Sequence, residues 1–336
     1  MDNVSIKKTF SKIGLSFFIF IVITQFTALA LEILLIKITG DTSIASKGDG
    51  LFTYLLSFIP MYAIALPVLI IMLNTSSFKP VIPPSRFRLS PKNYLMILIM
   101  CIGGMEAGNI IGNLVTLSFA DLIGSDHSSN YITEIITNSS PLYTFIFTAL
   151  LAPIFEELIF RKFLIDRTYK YGERNAIILS GLMFGLFHTN LGQFFYAFII
   201  GAIFAWVYIR TGNILYSMSM HFLINLLGGT VPILLLSHVD ISSISEMSTQ
   251  ELFTYVEGLD TASLCWCMAY SLLMIFMFAA AIAGVILFIR NRSKMVVDVN
   301  PPIITKNNKS LVYGNAGMIL FIVVTVLLAV YVLFFA

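Results

Sequence analysis

Six side chains in this sequence are of types and spacings that could carry chemistry. Glu156 and Glu157 are adjacent in APIFEELIFRKF, with Arg161 four residues on. His188 closes GLMFGLFHTN with Phe184 four residues before it, and His221 precedes Asn225 by four in YSMSMHFLINLL. A glutamate can take a proton from water, and a histidine can hold that water or a metal ion. A histidine with a carboxamide can donate hydrogen bonds to a developing oxyanion. That is a set for hydrolysis. A zinc site with two histidines and one glutamate is chemically open as well. No HExxH occurs, which excludes the arrangement of soluble zinc proteases.

Within the set, adjacent carboxylates point about 100° apart on a helix, so Glu156 and Glu157 cannot share one role. Glu157 and Arg161, at i and i+4, lie on one face and suit an ion pair. Glu156 then faces elsewhere without a local cation, free to accept or hand on a proton.

All six lie in apolar surroundings. The 336 residues are 58% hydrophobic and 11% charged, with a mean hydropathy of +0.90. Soluble proteins carry about a quarter charged residues. The net charge of +2 gives no footprint for nucleic acid. The three cysteines, Cys101, Cys265 and Cys267, sit in apolar blocks and read as packing residues rather than a disulfide framework. The sequence therefore predicts an all-α polytopic membrane protein. An ionisable group at the centre of a spanning helix costs about 2.5–3.5 kcal/mol on insertion scales, so such groups face the bundle interior and have a partner or a task.

A helix needs about 20 apolar residues to cross roughly 30 Å of hydrocarbon. Spans are expected near 14–36, 51–73, 94–119, 142–165, 176–190, 192–209, 213–236, 263–289 and 314–335. The fifth and sixth are short, so the expectation is a bundle of about eight to nine transmembrane helices. Lys7, Lys8 and Lys12 with the apolar run behind them are read as a retained first span. With a cytoplasmic N-terminus, all of the 20 basic residues except Lys37 and Lys47 fall inside. The outer loops at 120–141 and 237–262 are acidic. This asymmetry predicts a multi-pass cell-membrane protein with its C-terminus outside. The whole chain, 1–336, reads as one membrane domain.

On these spans Glu156 lies about nine residues, roughly 13 Å, from the cytoplasmic end of its helix. His188 lies about twelve residues, roughly 18 Å, from that side, and His221 and Asn225 about eight and twelve, roughly 12 and 18 Å. Three helices thus bring their polar groups into one slab. Glu106, Asn109 and Asn113 form a separate stripe on the third span, either lining a water path or gluing helices together.

EELIFR (156–161), FGLFH (184–188) and HFLIN (221–225) match the motifs EExxxR, FxxxH and HxxxN in order. On successive spans they resemble the CPBP family of intramembrane proteases, also called the Abi or CAAX-protease family. The resemblance covers about residues 140–230, which would be the catalytic core. It implies that Glu156 is the catalytic base, that His188 helps bind the attacking water, and that His221 and Asn225 stabilise the oxyanion. Glu157, Arg161 and Phe184 would be supporting residues. It leaves the cofactor undecided between none and a divalent metal such as zinc, held if present by Glu156, His188 and His221. The implied partners are the lipid bilayer and a membrane-associated peptide or protein substrate, cleaved near the cytoplasmic face. Two other readings stand beside it: a non-enzymatic immunity or scaffold protein binding a peptide or bacteriocin, and a proton-coupled transporter.

Overall fold

The structure, a computed structural model, describes residues 3–42, 50–74, 79–85, 87–123, 140–238, 247–295, 303–304 and 308–335. Of the sequence expectations, those on Lys47, Arg86 and Lys306 lie outside these residues. So do those on 124–139 and 239–246 of the two acidic loops.

The described residues are helical, with no strand among them. The long helices are α1 (Asn3–Thr39), α2 (Leu51–Asn74), α3 (Pro91–Ile123) and α4 (Pro141–Tyr171). After the short α5 (Glu173–Phe187) come α6 (Leu191–Thr211) and α7 (Ile214–Leu236). The small α8 (Thr249–Glu257) precedes α9 (Thr261–Asn291), α10 (Ser310–Tyr313) and α11 (Ala316–Phe335). Eight of these are long and apolar enough to cross a bilayer, and the chain is a multi-pass membrane protein.

The fifth expected span, already short at 176–190, is the one that does not reach spanning length. α5 has 15 residues, about 22 Å of helix against a hydrocarbon core of about 30 Å. It ends at His188, and the chain reverses through Thr189, the only described non-glycine residue with positive φ, at 46°. Asn190 then caps α6, its side chain accepting from the backbone N–H of Gln193. α5 and α6 therefore form a hairpin that returns to the face it left.

That face gathers much of the basic sequence. Val81 N–H donates to the Asp166 carbonyl at 2.6 Å, and Ile304 N–H to that of Tyr171 at 2.9 Å. Arg167 donates to the Asn74 side chain at 2.6 Å, and Arg210 lies over the Phe87 ring. Thr9, near the start of α1, meets Tyr171. α1 and α11 run parallel: Ser11 abuts Gly317, and further along Phe17 meets Phe321 with ring centroids 5.9 Å apart. The described ends of the chain thus lie at opposite faces of the bundle.

Four π-helical segments interrupt the long helices: Ile59–Ala65 in α2, Thr144–Leu151 and Leu158–Ile165 in α4, and Leu226–Thr230 in α7. Prolines attend three of them, at Pro60, Pro153 and Pro232. A missing N–H frees a carbonyl and lets the helix widen. α3 packs on α6 through glycine: a Cβ at Gly108 would strike the backbone of Tyr196, so only glycine permits this approach.

Candidate active site

α4 brings Glu156 and Glu157 into the bundle, and both face α7. Their angular separation places them on either side of the line towards His221, which reaches both. His221 Nδ1 lies 3.1 Å from Glu157 Oε1, and Nε2 lies 3.7 Å from Glu156 Oε2. All three residues are buried. The expected ion pair is present, with Arg161 Nε 3.0 Å from Glu157 Oε2. Arg161 has no exposure at all. Its guanidinium lies 5.0 Å from the Phe184 centroid and 5.6 Å from that of Phe204, so ring faces replace water around the charge.

Glu156 is not without a partner, as its sequence context implied. Tyr62, in the π segment of α2, donates its hydroxyl to Glu156 Oε1 at 3.3 Å. Its ring stacks on Phe155 with centroids 4.5 Å apart.

Asn225 lies one turn beyond His221 on α7 and donates Nδ2–H to the Thr148 carbonyl at 2.9 Å. The acceptor is a carbonyl, so the contacting amide atom is the nitrogen. Local chemistry explains why that carbonyl is available. In the π segment of α4, Ala152 N–H bonds the Phe147 carbonyl five residues back. The next donor in that register, aimed at Thr148, would be residue 153, a proline.

His188 sits at the C-terminal cap of α5 and is half-buried. Its Nδ1 lies 2.9 Å from the Phe184 carbonyl, so Nδ1 carries the proton and Nε2 is left with a lone pair. Phe184 touches both imidazoles, its ring centroid 4.9 Å from His188 and 5.6 Å from His221. The structure thus joins Glu156, Glu157, Arg161 and His221 by direct contact. Asn225 is adjacent on the same helix, and His188 stands across the Phe184 ring.

Both histidines use Nδ1 on a carbonyl or a carboxylate, the usual outer-shell contact of a ligating histidine, which leaves each Nε2 open. Among the described residues no three His, Cys, Asp or Glu side chains converge at metal-binding distance.

Asn225 and Thr148 also line a cavity of about 870 Å³ between α3, α6, α7 and α9. Glu106 and Asn109 line it too, whereas Asn113 is exposed on the outside of the bundle. The expected stripe on α3 is therefore split. Ile110, Phe278, Ile282 and Ile286 line the cavity while remaining exposed to the surroundings of the bundle. The cavity thus opens sideways, where lipid would be.

Residues 138–227 match the family model described as Rce1-like, type II CAAX prenyl endopeptidase. The resemblance read from the three motifs is shown over this segment. A curated relative, the UPF0177 protein YxdF of Lactococcus lactis subsp. lactis (strain IL1403), is 27% identical over 110 residues, 32% of this chain and 61% of that protein. The chain thus spans about three fifths of the length of the curated relative it matches. No solved structure matches.

The sequence did not single out Tyr62, Phe204 or Thr148. The one available signal was Pro153 inside an apolar span, which marks a carbonyl that must find a donor from elsewhere.

Proposed function

We propose that this protein is an intramembrane endopeptidase that cleaves a membrane-associated peptide or protein with water activated by Glu156. The Rce1-like segment supports a hydrolase of the protease class. The observation that carries the reading is the bridging position of His221, with one ring nitrogen on Glu157 and the other towards Glu156.

Glu157 is paired with Arg161, so the site is neutral when Glu156 and His221 share a single proton. With that proton on His221, Nδ1–H donates to Glu157 and Nε2–H is available to an oxyanion. The second Nδ2 hydrogen of Asn225 is available to the same oxygen. Glu156 takes one proton from water as the water oxygen bonds to the peptide carbonyl carbon. The tetrahedral intermediate then breaks its C–N bond, and the proton held by Glu156 passes to the leaving amine. Nε2 of His188, a lone-pair acceptor, orients the attacking water.

We further propose that the face carrying the basic loops is cytoplasmic, which leaves the N-terminus inside and the C-terminus outside. The catalytic core is the segment around 140–230 within one membrane domain.

The test compares membrane peptides from cells expressing the wild-type protein, Glu156→Gln and His188→Ala, with thermal unfolding of each purified protein. Loss of a peptide product in both variants with the unfolding midpoint retained supports the protease. Cleavage persisting in both variants overturns it. A sharp fall in stability for Glu156→Gln, with no product from any form, favours a non-enzymatic immunity or scaffold protein.

A further inference from the structure

The cavity beside Asn225 is apolar apart from a few polar groups, and its charge is distinctive. Among the described residues that line it, Glu106 is the only one that carries a charge, and no Lys, Arg or His accompanies it. Asn109, the polar neighbour one turn along the same helix, is neutral. A carboxylate on an apolar wall is unfavourable when ionised unless a cation comes to it. Among the described residues that line the cavity none supplies one.

The remaining lining suits a chain of variable side chains rather than a fixed small ligand. Met105, Met274 and Met277 give an adaptable wall. Gly228 and Gly229 leave the α7 side open: a Cβ at Gly229 would meet nothing within 4 Å, and one at Gly228 only the Met105 side chain. The sideways mouth at Ile110 and Phe278 admits an occupant from the bilayer.

We infer that Glu106 is the counter-ion for a lysine or arginine side chain of a membrane-embedded peptide that occupies this cavity. The inference deepens the protease reading by giving its substrate a charge, and it rests on that reading for the occupant being a peptide. A cationic residue within an otherwise apolar peptide is itself unfavourable in lipid, so each partner removes the other's cost. Glu106 acts here as a specificity determinant and touches none of the bonds that change.

The experiment measures binding rather than turnover. Full-length Glu156→Gln protein in lipid nanodiscs is titrated with three fluorescent 20-residue leucine–alanine peptides that differ at one central position: lysine, norleucine or glutamate. The lysine peptide should bind at least about tenfold more tightly than its norleucine twin, and the glutamate peptide more weakly than both. In Glu106→Gln/Glu156→Gln the three affinities should converge. Equal binding of lysine and norleucine peptides to the Glu106-containing protein overturns the inference. Lysine preference that survives in the double variant does so too, because the charge is then read elsewhere. The three-peptide series needs no change at Glu106, so a double variant that fails to fold leaves the test intact. Failure of the protease reading shows separately, as a wild-type protein that cleaves nothing yet keeps its charge preference.

Discussion

Asn225 on α7 donates to the Thr148 carbonyl on α4 at 2.9 Å, and Pro153 is what leaves that carbonyl without a donor of its own helix. The proline therefore does more than bend α4. It creates the acceptor that fixes the amide of Asn225 beside His221. Pro153→Ala restores a backbone N–H aimed at Thr148, in competition with Asn225. Removing a proline from a helix interior does not cost stability, so the unfolding midpoint should hold or rise. Cleavage should fall by about tenfold or more, because a displaced group loses its alignment with the reacting atoms. Wild-type turnover in Pro153→Ala would show that Asn225 needs no such anchor.

Tyr62 is the polar contact to Glu156 from outside the Rce1-like segment. Tyr62→Phe removes the hydroxyl and keeps the ring stacked on Phe155. One buried hydrogen bond is lost, so the expected stability change is about 1 kcal/mol. If Tyr62 orients the base, kcat should fall several-fold with KM unchanged. A rise in KM alone would assign Tyr62 to substrate binding instead.

Much of this site was legible because its spacing is local. Glu157 and Arg161 at i and i+4 could meet only on one helical face, and they do at 3.0 Å. The apolar blocks likewise marked the long helices. What the sequence withheld depends on tertiary packing. Nothing around Tyr62 distinguishes it from other interior aromatics until α2 is laid against α4. The stripe of Glu106, Asn109 and Asn113 looked continuous, but α3 has partners on two faces. Gly108 and Gly112 hold one face against α6, and Asn113 points away from that contact to the outside. The length of α5 was legible, but its position lies three residues earlier than the expected 176–190. The reversal at Thr189 is backbone geometry that hydropathy does not record.

Outside the spanning helices, α8 carries a proton-sensitive start. Ser248 N–H donates to Glu251 Oε2 at 2.7 Å, and Glu251 N–H donates to the Ser248 hydroxyl. Hydrogen bonding from Ser248, its side chain first and its backbone second, holds the Glu251 carboxyl below its ordinary range. A depressed carboxyl adds stability above its unfolded pKa and loses it as pH falls through the folded value. Amide hydrogen exchange over 249–257, corrected for intrinsic rates, should therefore be slow at neutral pH and accelerate below the ordinary glutamate range. Glu251→Gln should flatten that dependence. An unchanged profile in the variant would place the acid sensitivity in another group.

Arg161 tests whether the charge network positions His221 or merely fills space. Its guanidinium is held between the Phe184 and Phe204 rings, and those same rings contact His221. Arg161→Lys keeps the charge but loses the flat surface that lies against both aromatics. It should cost about 1–2 kcal/mol of stability. Arg161→Ala leaves Glu157 buried and uncompensated and should cost about 3–5 kcal/mol. In folded Arg161→Lys protein the Glu157 carboxylate keeps a cation, so His221 keeps its Nδ1 partner and cleavage should survive at a reduced rate. Glu157→Gln instead keeps the shape, removes the charge that holds the His221 proton and leaves the buried Arg161 uncompensated, so in folded protein kcat should fall further than in Arg161→Lys, with a larger loss of stability. The reverse order of kcat would mean that ring packing, rather than the carboxylate, orients the imidazole.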